Sequence, residues 1–323
     1  MAASCKDNSL AVTVVIPAYN VADYIERCLD SVLRQTYAPR EVIVVDDGSQ
    51  DGTADLVARY GPPIRCLSQK SAGASVARNA GVEAAVTEWI AFLDSDDEWL
   101  PEHLECHRRL VERYPDLEWT AGNAYRCYCD KGQRAMEYPR EKAIRQWGEF
   151  PRFESYFQAY LASAKGNTDT MVVRRDLLMR AGLFRTDLPR YNDVDMWFRM
   201  AYLAGAVGYV VEPTAIYHLG VPGSIVKTHK DLEVITRFID SHLAMARHYG
   251  RLAEFSPCAE RMVGFMISWL LQEGRGRDVR QLLGRYHDLF GPYMRVTTWL
   301  ASLLPRTAAR YEQCKNRLRK KTI

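Results

Sequence analysis

The sequence predicts an α/β protein with a mainly parallel central sheet flanked by helices and a helical extension at the carboxyl terminus. Two observations predict this class. Short apolar runs of strand length alternate with amphipathic helical segments in about the first hundred residues, and helical spacing alone continues after about residue 226. Strands separated by helices of this length imply right-handed crossovers between parallel strands. We therefore expect two domains, residues 1–225 and 226–323.

Seven elements are predicted in the amino-terminal part. The strands are Val12–Ile16, Glu41–Val45, Ile64–Leu67 and Trp89–Leu93, and the helices are Val21–Leu33, Thr53–Tyr60 and Val76–Val86. The first and fourth strands are short apolar runs, and Pro17 stops the first of them. Because such runs are typical of strands buried on both faces, the sheet is expected to lie inside the domain.

Four helices are predicted in the carboxyl-terminal part: Leu232–Tyr249, Ala259–Glu273, Val279–Phe290 and Val296–Leu304. Pro257 and Pro292, with the glycines near residue 275, separate these segments. The following residues, 306–321, include seven basic side chains and one acidic one. A basic tail is usually a solvated face. Beside Trp299 and its apolar neighbours, it also fits a peripheral contact with an anionic membrane leaflet.

Composition narrows the functional classes. The 323 residues are 47% hydrophobic, which is enough for a sizeable core, and the net charge of +3 gives no reason to expect nucleic acid binding. The eight cysteines have no zinc-type spacing and fit reduced thiols. The amino terminus carries no signal-peptide core, and no apolar stretch reaches the ~20 residues that span a bilayer. We expect a cytoplasmic protein, with peripheral contact at the inner face of the membrane as the open alternative.

The fourth predicted strand ends in carboxylates. Asp94, Ser95, Asp96 and Asp97 directly follow Leu93. Ligands of open α/β sheets bind beyond the carboxyl ends of such strands. Three acidic groups in four residues repel one another unless a cation binds, and oxygen ligands suit Mg²⁺ or Mn²⁺. The alternative is a solvated acidic turn that caps the helix after Pro101.

The second predicted strand also ends in two carboxylates, Asp46 and Asp47, followed by Gly48 and Ser49. These residues fit turn chemistry, in which an Asp accepts backbone hydrogen bonds and Gly takes a positive φ. The functional alternative is a carboxylate that accepts N–H donors from a nucleobase. Tyr19, just after the first strand, can offer a ring for base stacking. Two strands of one sheet therefore end in acidic pairs at the same edge.

Four motifs follow one another in register: residues 12–20, VTVVIPAYN; 44–53, VVDDGSQDGT; 73–81, GASVARNAG; and 92–97, FLDSDD. This series resembles the inverting nucleotide-sugar glycosyltransferases of family 2, which have the GT-A fold, over about residues 10–225. The resemblance implies transfer of a sugar from a nucleoside-diphosphate sugar, UDP by default, to a hydroxyl of a glycan or lipid-linked acceptor. Bacterial-type surface polysaccharide synthesis is the expected setting.

The resemblance also implies the donor site. The nucleotide-sugar is expected to contact Pro17, Tyr19, Asn20, Asp46, Asp47, Arg78, Asp94 and Ser95. Within the Asp-x-Asp site, Asp96 is expected to touch a Mg²⁺ or Mn²⁺ ion directly, while Asp94 contacts ribose or a water. Arg78 has two interpretations, since its guanidinium can face the diphosphate or form a salt bridge with a nearby carboxylate.

A second acidic pair lies in residues 190–200, RYNDVDMWFRM. The resemblance assigns the general base to Asp193, and the chain departs from the family at Asn192, where Glu is common. Asp193 and Asp195 also fit first-turn carboxylates that the helix dipole favours. Acceptor contacts are expected from Thr168, Asn192 and Asp195, although Thr168 fits an edge strand equally well.

His218 is the last candidate. Many relatives place a metal-binding His near this point, but this chain has Val221 there if Gly223 and Ser224 are the anchor. His218 can be a metal ligand in its place or a hydrogen-bonding residue of the pocket. Two rival functions remain. A nucleotidyltransferase normally has a Gly-rich phosphate loop after the first strand, which is missing here, and a non-catalytic nucleotide-sugar binder stays open because of Asn192 and Val221.

Overall fold

The computed structural model describes residues 10–128, 133–188, 190–220 and 232–303. The chain divides into two compact units, Met1–Phe238 and Ile239–Ile323. The boundary predicted at residue 225 falls in 221–231, outside the described residues. The first described element after that gap is helix α9 (Leu232–His248), which runs across the observed boundary.

All seven elements predicted in the amino-terminal part are present, with ends that differ by four residues or fewer. They are β1 (Val12–Ala18), α1 (Ile25–Leu33), β2 (Glu41–Asp46), α2 (Thr53–Ala58), β3 (Ile64–Ser68), α3 (Ala74–Ala84) and β4 (Trp89–Phe92). The largest difference is the start of α1. Residues 21–24 form a turn instead, in which the Tyr24 and Ile25 amides both donate to the Val21 carbonyl.

Strands β3, β2, β1 and β4 are neighbours in that order, and every pair among them is parallel. Ala18 of β1 lies opposite Asp46 of β2, and Val15 lies opposite Phe92 of β4. The carboxyl ends of β1, β2 and β4 therefore meet at one edge of the sheet. This register brings the two acidic strand ends to the same edge, as the sequence predicts.

The rest of the first unit widens the sheet. Its elements are β5 (Glu98–Trp99), α4 (His103–Arg113), β6 (Trp119–Tyr128), β7 (Gln133–Met136), α5 (Arg140–Trp147), β8 (Arg152–Phe153), α6 (Tyr156–Ala162), β9 (Val172–Arg174), α7 (Arg175–Arg180), α8 (Asn192–Leu203) and β10 (Val207–Leu219). The strand order is β3-β2-β1-β4-β9-β6-β10-β5, with β7 on β6 and β8 on β10. The α/β class is confirmed. Because β9 is antiparallel to both β4 and β6, the sheet is mixed beyond β4 rather than parallel throughout.

Tight packing fixes two helices over the acidic edge. A Cβ added to Gly81 would lie 2.4 Å from a Val15 methyl carbon, so helix α3 rests directly on β1 there. Helix α8 is anchored by Trp197, whose ring lies 6.0 Å from Phe92 and 5.6 Å from Phe184, measured between centroids. Edge-to-face contacts of this kind add to the burial of apolar area. Trp197 is thus a core residue, and it holds α8 against β4.

The second unit is helical, as predicted. After α9 come α10 (Leu252–Gln272), α11 (Gly276–Arg285), a 3₁₀ turn (His287–Leu289) and α12 (Pro292–Ala301). The predicted start of α10 at Ala259 is wrong, since the helix begins at Leu252 and contains Pro257. Pro257 is the sixth residue of the helix and has no amide proton, so the Ala253 carbonyl lacks its usual helical donor there. No helix within the described residues is both long and apolar enough to cross a membrane.

Two histidines are fully buried one turn apart on α4. His103 Nδ1 lies 2.8 Å from the Thr214 hydroxyl of β10, and His107 Nδ1 lies 2.6 Å from the Thr120 hydroxyl of β6. Burial lowers the pKa of both imidazoles, that of His107 to about 3, because the charged form loses its hydration. Both rings are therefore neutral at pH 7 and tie α4 to the sheet.

This burial predicts a pH-dependent stability. Below about pH 6.5 an unfolded histidine binds a proton that folded His107 does not. The unfolding free energy therefore decreases as the pH is lowered, until the folded pKa is reached. Between pH 7 and pH 5 we expect a loss of about 2 kcal/mol in unfolding free energy from His107 alone. Urea unfolding at both pH values measures it. Over the same pH change, the unfolding free energy of His107→Gln should fall by about 2 kcal/mol less than that of wild type. The unfolding free energy of the exposed His287→Gln should fall as much as that of wild type. An unchanged fall in His107→Gln would contradict the prediction.

Candidate active site

Three carboxylates converge at the acidic edge of the sheet. Asp94 follows β4, Asp97 lies in the next turn, and Asp169 belongs to the 3₁₀ turn Thr168–Thr170 just before β9. One oxygen from each lies within 4.8 Å of the others. Asp97 and Asp169 are buried, and Asp94 is half-buried. The predicted acidic strand end is therefore one side of a cluster that the sequence showed only in part.

Backbone groups hold this cluster in place. The Asp94 amide donates to Asp169 Oδ1 (2.9 Å), and the Asp169 carbonyl accepts from the Trp99 indole (2.7 Å). Asp97 Oδ1 accepts from the His218 amide (2.7 Å), whereas Asp97 Oδ2 is buried and has no hydrogen-bond partner in the described structure. A buried carboxylate oxygen without a donor is costly, so this atom fits a bound cation or a proton, and the raised pKa of Asp97 favours protonation when no cation is bound.

The electrostatics of the cluster favour a cation. Burial raises the pKa of Asp97 and of Asp169 well above the usual value, and the neighbouring carboxylates raise both further. Burial, followed by repulsion from Asp94, also raises the pKa of Asp96. A divalent cation would relieve both the desolvation and the repulsion. The donor set consists of carboxylate oxygens alone, which fits Mg²⁺ or Mn²⁺.

Asp96 and His218 occupy different places from the three clustered carboxylates. Asp96 is half-buried, its carboxylate is not one of the three, and its carbonyl accepts from the Arg27 guanidinium. His218 Nε2 lies 3.0 Å from Glu98 Oε1, and this contact is the main cause of the lowered pKa of Glu98. The His218 amide thus donates to the cluster, and the charge of its imidazole opposes the rise that burial causes in the pKa of the Asp96 carboxyl. The role of His218 as a metal ligand stays a prediction. Val221, Gly223 and Ser224 lie outside the described residues.

Arg78 brings a positive charge to the site, on the side of Asp94. It lies on α3, is buried, and pairs with Asp94 Oδ1. Its guanidinium carbon lies 5.7 Å from the centroid of the Phe184 ring, and its Nε is buried without a hydrogen-bond partner in the described part. Burial opposes the charge, but Asp94 and then Asp193 and Asp169 favour it, so the pKa of Arg78 is raised. The salt bridge considered for Arg78 exists, and it lies inside the candidate site.

Helix α8 brings its first turn to the same place. The Asn192 side chain donates to the Ser75 hydroxyl (2.6 Å) on the first turn of α3 and accepts from the Asp193 amide (2.8 Å). Asp193 is half-buried and close enough to Arg78 to interact with its charge. Asp193 is therefore both a first-turn carboxylate and a side chain of the site, and Asn192 positions it.

Two of the three predicted acceptor residues are buried. Asp195 is fully buried, accepts from Arg199 Nε (2.7 Å), and lies 3.8 Å from Arg185. Arg199 in turn donates to the carbonyls of Ala181 and Leu183, so Asp195 anchors the loop before α8. Thr168 is only 6% exposed. Asn192 keeps partial exposure at the site.

The loops after β1 and β2 are joined to each other. Asn20, in the left-handed region with φ of 50°, donates its amide to the Ser49 hydroxyl (2.9 Å) and accepts from the Gln50 amide (2.8 Å). Asp46 is buried and accepts from the Ser49 amide (3.2 Å), which is the turn chemistry expected of it. Tyr19 stands out from this pair of loops with 53% of its surface exposed.

Asp47 organises a third loop. Its two carboxylate oxygens accept from the Ala72 and Gly73 amides (2.8 Å each), from the Gln69 side chain (2.6 Å) and from the Ser71 hydroxyl (3.4 Å). These contacts fix the segment that leads into α3 and hence the position of Arg78. Pro17 and Ser95, also expected near the nucleotide, are buried.

Asp169 is the residue that sequence reasoning missed. Its neighbour Thr168 is a predicted acceptor contact, but Asp169 itself is not among the predicted residues. One signal was present, because an acidic residue lies two positions before the apolar run 171–173. Its approach to Asp94 depends on the antiparallel pairing of β9 with β4, which no local pattern reveals.

Comparisons with known proteins agree with this architecture. The model of glycosyl transferase family 2 matches residues 13–182. The chain is 35% identical over 134 residues to the uncharacterized glycosyltransferase YibD of Escherichia coli (strain K12), covering 41% of this chain and 39% of that protein. It is 27% identical over 253 residues to the putative glycosyltransferase EpsH of Bacillus subtilis (strain 168), covering 76% and 72%. The first of these matches thus spans about two fifths of the relative's length.

A solved structure shares the fold. The crystal structure of S. aureus TarS 1–349 in complex with UDP-GlcNAc superposes with a TM-score of 0.71 at 18% sequence identity, covering 94% of this chain and 92% of that one. At this identity the likeness concerns the arrangement of helices and strands.

Proposed function

The chain belongs to glycosyl transferase family 2 and is a transferase of the GT-A type, and from this premise we propose that it transfers a sugar from a nucleoside-diphosphate sugar with inversion and with a divalent ion. The acceptor is a hydroxyl of a glycan or lipid-linked acceptor, as in bacterial-type surface polysaccharide synthesis. One observation carries the proposal: a carboxylate cluster faces a buried arginine, and a further carboxylate lies on the adjoining helix.

The donor lies along the edge formed by β1, β2 and β4. The exposed Tyr19 ring provides a surface for the nucleobase. Asp47 and Asn20 act mainly by fixing the loops around it, because their side chains are engaged with backbone amides. Arg78 exchanges its bond to Asp94 for the diphosphate, and its unpartnered Nε offers a second donor. UDP is the default base, which the UDP-GlcNAc in the TarS crystal structure supports.

The metal is held at the acidic end of β4. Asp96 and Asp94 are its proposed ligands, and Asp97 and Asp169 lie close enough to Asp94 to share it. A bound Mg²⁺ or Mn²⁺ ion offsets the charge that develops on the departing diphosphate. His218 supports Asp97 through its amide, and its imidazole is engaged with Glu98.

Asp193 acts as the general base. Its carboxylate takes the proton of the acceptor hydroxyl while the hydroxyl oxygen forms a bond to the anomeric carbon. The anomeric C–O bond to the diphosphate breaks in the same displacement, and its electron pair leaves with the diphosphate. A single displacement from the opposite face inverts the configuration, and no covalent intermediate with the enzyme forms.

Asn192 is the proposed acceptor contact, because it alone of the three predicted residues combines partial exposure with a place beside the base. Asp195 and Thr168 act from beneath, by holding the backbone on which the site is built. The nucleotidyltransferase alternative gains no support from the loop after β1, where Tyr19 and Asn20 stand in place of a glycine-rich phosphate loop. We retain a cytoplasmic location and a peripheral membrane contact as parts of the proposal.

A panel of nucleotide-sugars tests the function. Each donor is incubated with the protein and Mn²⁺, nucleoside diphosphate release is measured, and binding is followed by calorimetry or ligand-observed NMR. We expect one donor, a UDP-sugar first, to bind and to be slowly hydrolysed without acceptor. Donor binding without any turnover, even with glycan or lipid-linked acceptors, would favour the non-catalytic alternative. A donor that binds equally well with and without divalent ions would remove the metal from the proposal.

A further inference from the structure

Helix α12 has its polar side buried and its apolar side exposed. Thr298 and Ser302, which follows the helix, are buried, and the Arg280 guanidinium donates to the Ser302 hydroxyl (3.2 Å) and carbonyl (3.3 Å). Large apolar side chains with exposed fractions from 48% to 82% form the opposite side, which we call the outer face: Tyr293, Val296, Trp299, Leu300 and Leu303. A surface helix normally shows the reverse pattern. The outer face is therefore built to meet something less polar than water.

We propose that the outer face of α12 inserts into the interfacial region of an anionic lipid bilayer. The spacing of Tyr293, Val296, Leu300 and Leu303 by three and four residues places them along one side of the helix. Tyr293 and Trp299 carry the ring types that concentrate at membrane interfaces, where one end of the ring is apolar and the other is hydrated. A helix of ten residues, about 15 Å long, lies in the interface plane.

The charges around α12 match an anionic surface. Arg295 lies on the helix itself, and the sequence from residue 289 to 311 contains no aspartate or glutamate. Residues 306–321, which lie outside the described structure, bring seven basic residues against one acidic one. Each lysine or arginine near an anionic leaflet adds to the attraction. An apolar face and a basic segment together provide the two signals that stable peripheral binding requires.

A second copy of the chain fits the outer face less well. A stable protein interface covers about 800 Å² on each partner, more than the outward arc of one ten-residue helix supplies. The sequence 289–311, with basic and aromatic residues and no acidic ones, is instead what an anionic lipid surface complements.

Vesicle flotation of the full-length protein, without any sugar donor, tests the proposal. The vesicles contain phosphatidylcholine with or without phosphatidylglycerol. We expect binding to the anionic vesicles that weakens at high salt, and a loss of at least about tenfold in the double variant Val296→Glu/Leu300→Glu. Val86→Glu is the matched control, since Val86 is 86% exposed on the first unit and should keep wild-type binding. Unchanged thermal unfolding of each variant shows that the fold is intact.

Three results would overturn the proposal. They are a wild-type protein that does not float with anionic vesicles, a double variant that floats like wild type, and equal loss of binding in Val86→Glu. Sedimentation analysis tests for the competing occupant, a second copy of the chain. If wild type is a dimer, the double variant is a monomer and neither binds vesicles, the outer face belongs to a dimer interface. Flotation needs no donor or metal, so its outcome is independent of whether the proposed transferase reaction is found.

Discussion

Asp193→Asn should reduce sugar transfer by at least about a hundredfold, within the usual contribution of a general base. The amide keeps the size of the side chain and its place in the first turn of α8, but it cannot take the proton of the acceptor hydroxyl. Donor binding should not weaken, because the substitution removes a negative charge near Arg78 and leaves the guanidinium in place for the diphosphate. Turnover and donor affinity are measured separately, by product formation at saturating donor and by calorimetry.

Asp187→Asn is the matched control for this substitution. Asp187 lies in the loop before α8, is largely exposed, and pairs only with Arg185 among the described contacts. The same chemical change there should leave turnover at the wild-type level. Wild-type turnover in Asp193→Asn would refute the assignment of the base, and a lowered thermal stability in that variant alone would mean that the loss reflects folding rather than chemistry.

Asp96→Ala should also reduce transfer by at least about a hundredfold, because it removes a proposed ligand of the ion that offsets charge on the leaving group. The affinity for Mn²⁺ in the presence of UDP should fall in parallel, and calorimetry measures it. Asp55→Ala, which removes an exposed carboxylate on α2, should affect neither quantity.

The structure suggests a different set of ligands for the ion. The clustered oxygens belong to Asp94, Asp97 and Asp169, so an ion placed among them would depend on Asp169. Asp169→Asn preserves the shape of the side chain and its acceptor for the Asp94 amide. If Asp169→Asn loses Mn²⁺ affinity while Asp96→Ala retains it, the ion lies deeper than the family resemblance implies, and Asp96 is not its ligand.

The elements most accessible from sequence were those with strong local signals. Strands β1 to β4 are mostly apolar, with Thr13 in β1 and Arg65 in β3 among the exceptions, so the local residue pattern located them. The predicted stop at Pro17 was wrong, because β1 continues to Ala18. Helix α10 was placed too late because Pro257 was treated as a boundary, whereas the helix continues through it, with Phe255, Cys258 and Ala259 all buried. The mixed half of the sheet was not foreseen, since the pairing of β9 with β4 and β6 joins segments distant in the chain.

The candidate site was also predictable from the sequence only in part. The residue types at the ends of β2 and β4 predicted an acidic edge with a nucleotide and an ion, because parallel strands bring their carboxyl ends together. The sequence did not reveal that both carboxylate oxygens of Asp47 would accept hydrogen bonds from the loop before α3, or that Asp195, in the first turn of α8, would be fully buried. Exposure depends on which surfaces pack together, and a local pattern carries no such information.

By itself, the sequence determined the α/β class, the helical second part, the family, and the acidic strand end at Asp94 to Asp97. Only the tertiary structure decided that Asp169 joins this end, that Arg78 pairs with Asp94, and that Asn192 docks on Ser75 to bring Asp193 beside them. The physical reason is the distance along the chain between the residues that produce each signal. Strand and helix signals arise within a few residues, whereas a buried charge is tolerated only where distant parts of the chain supply its partners.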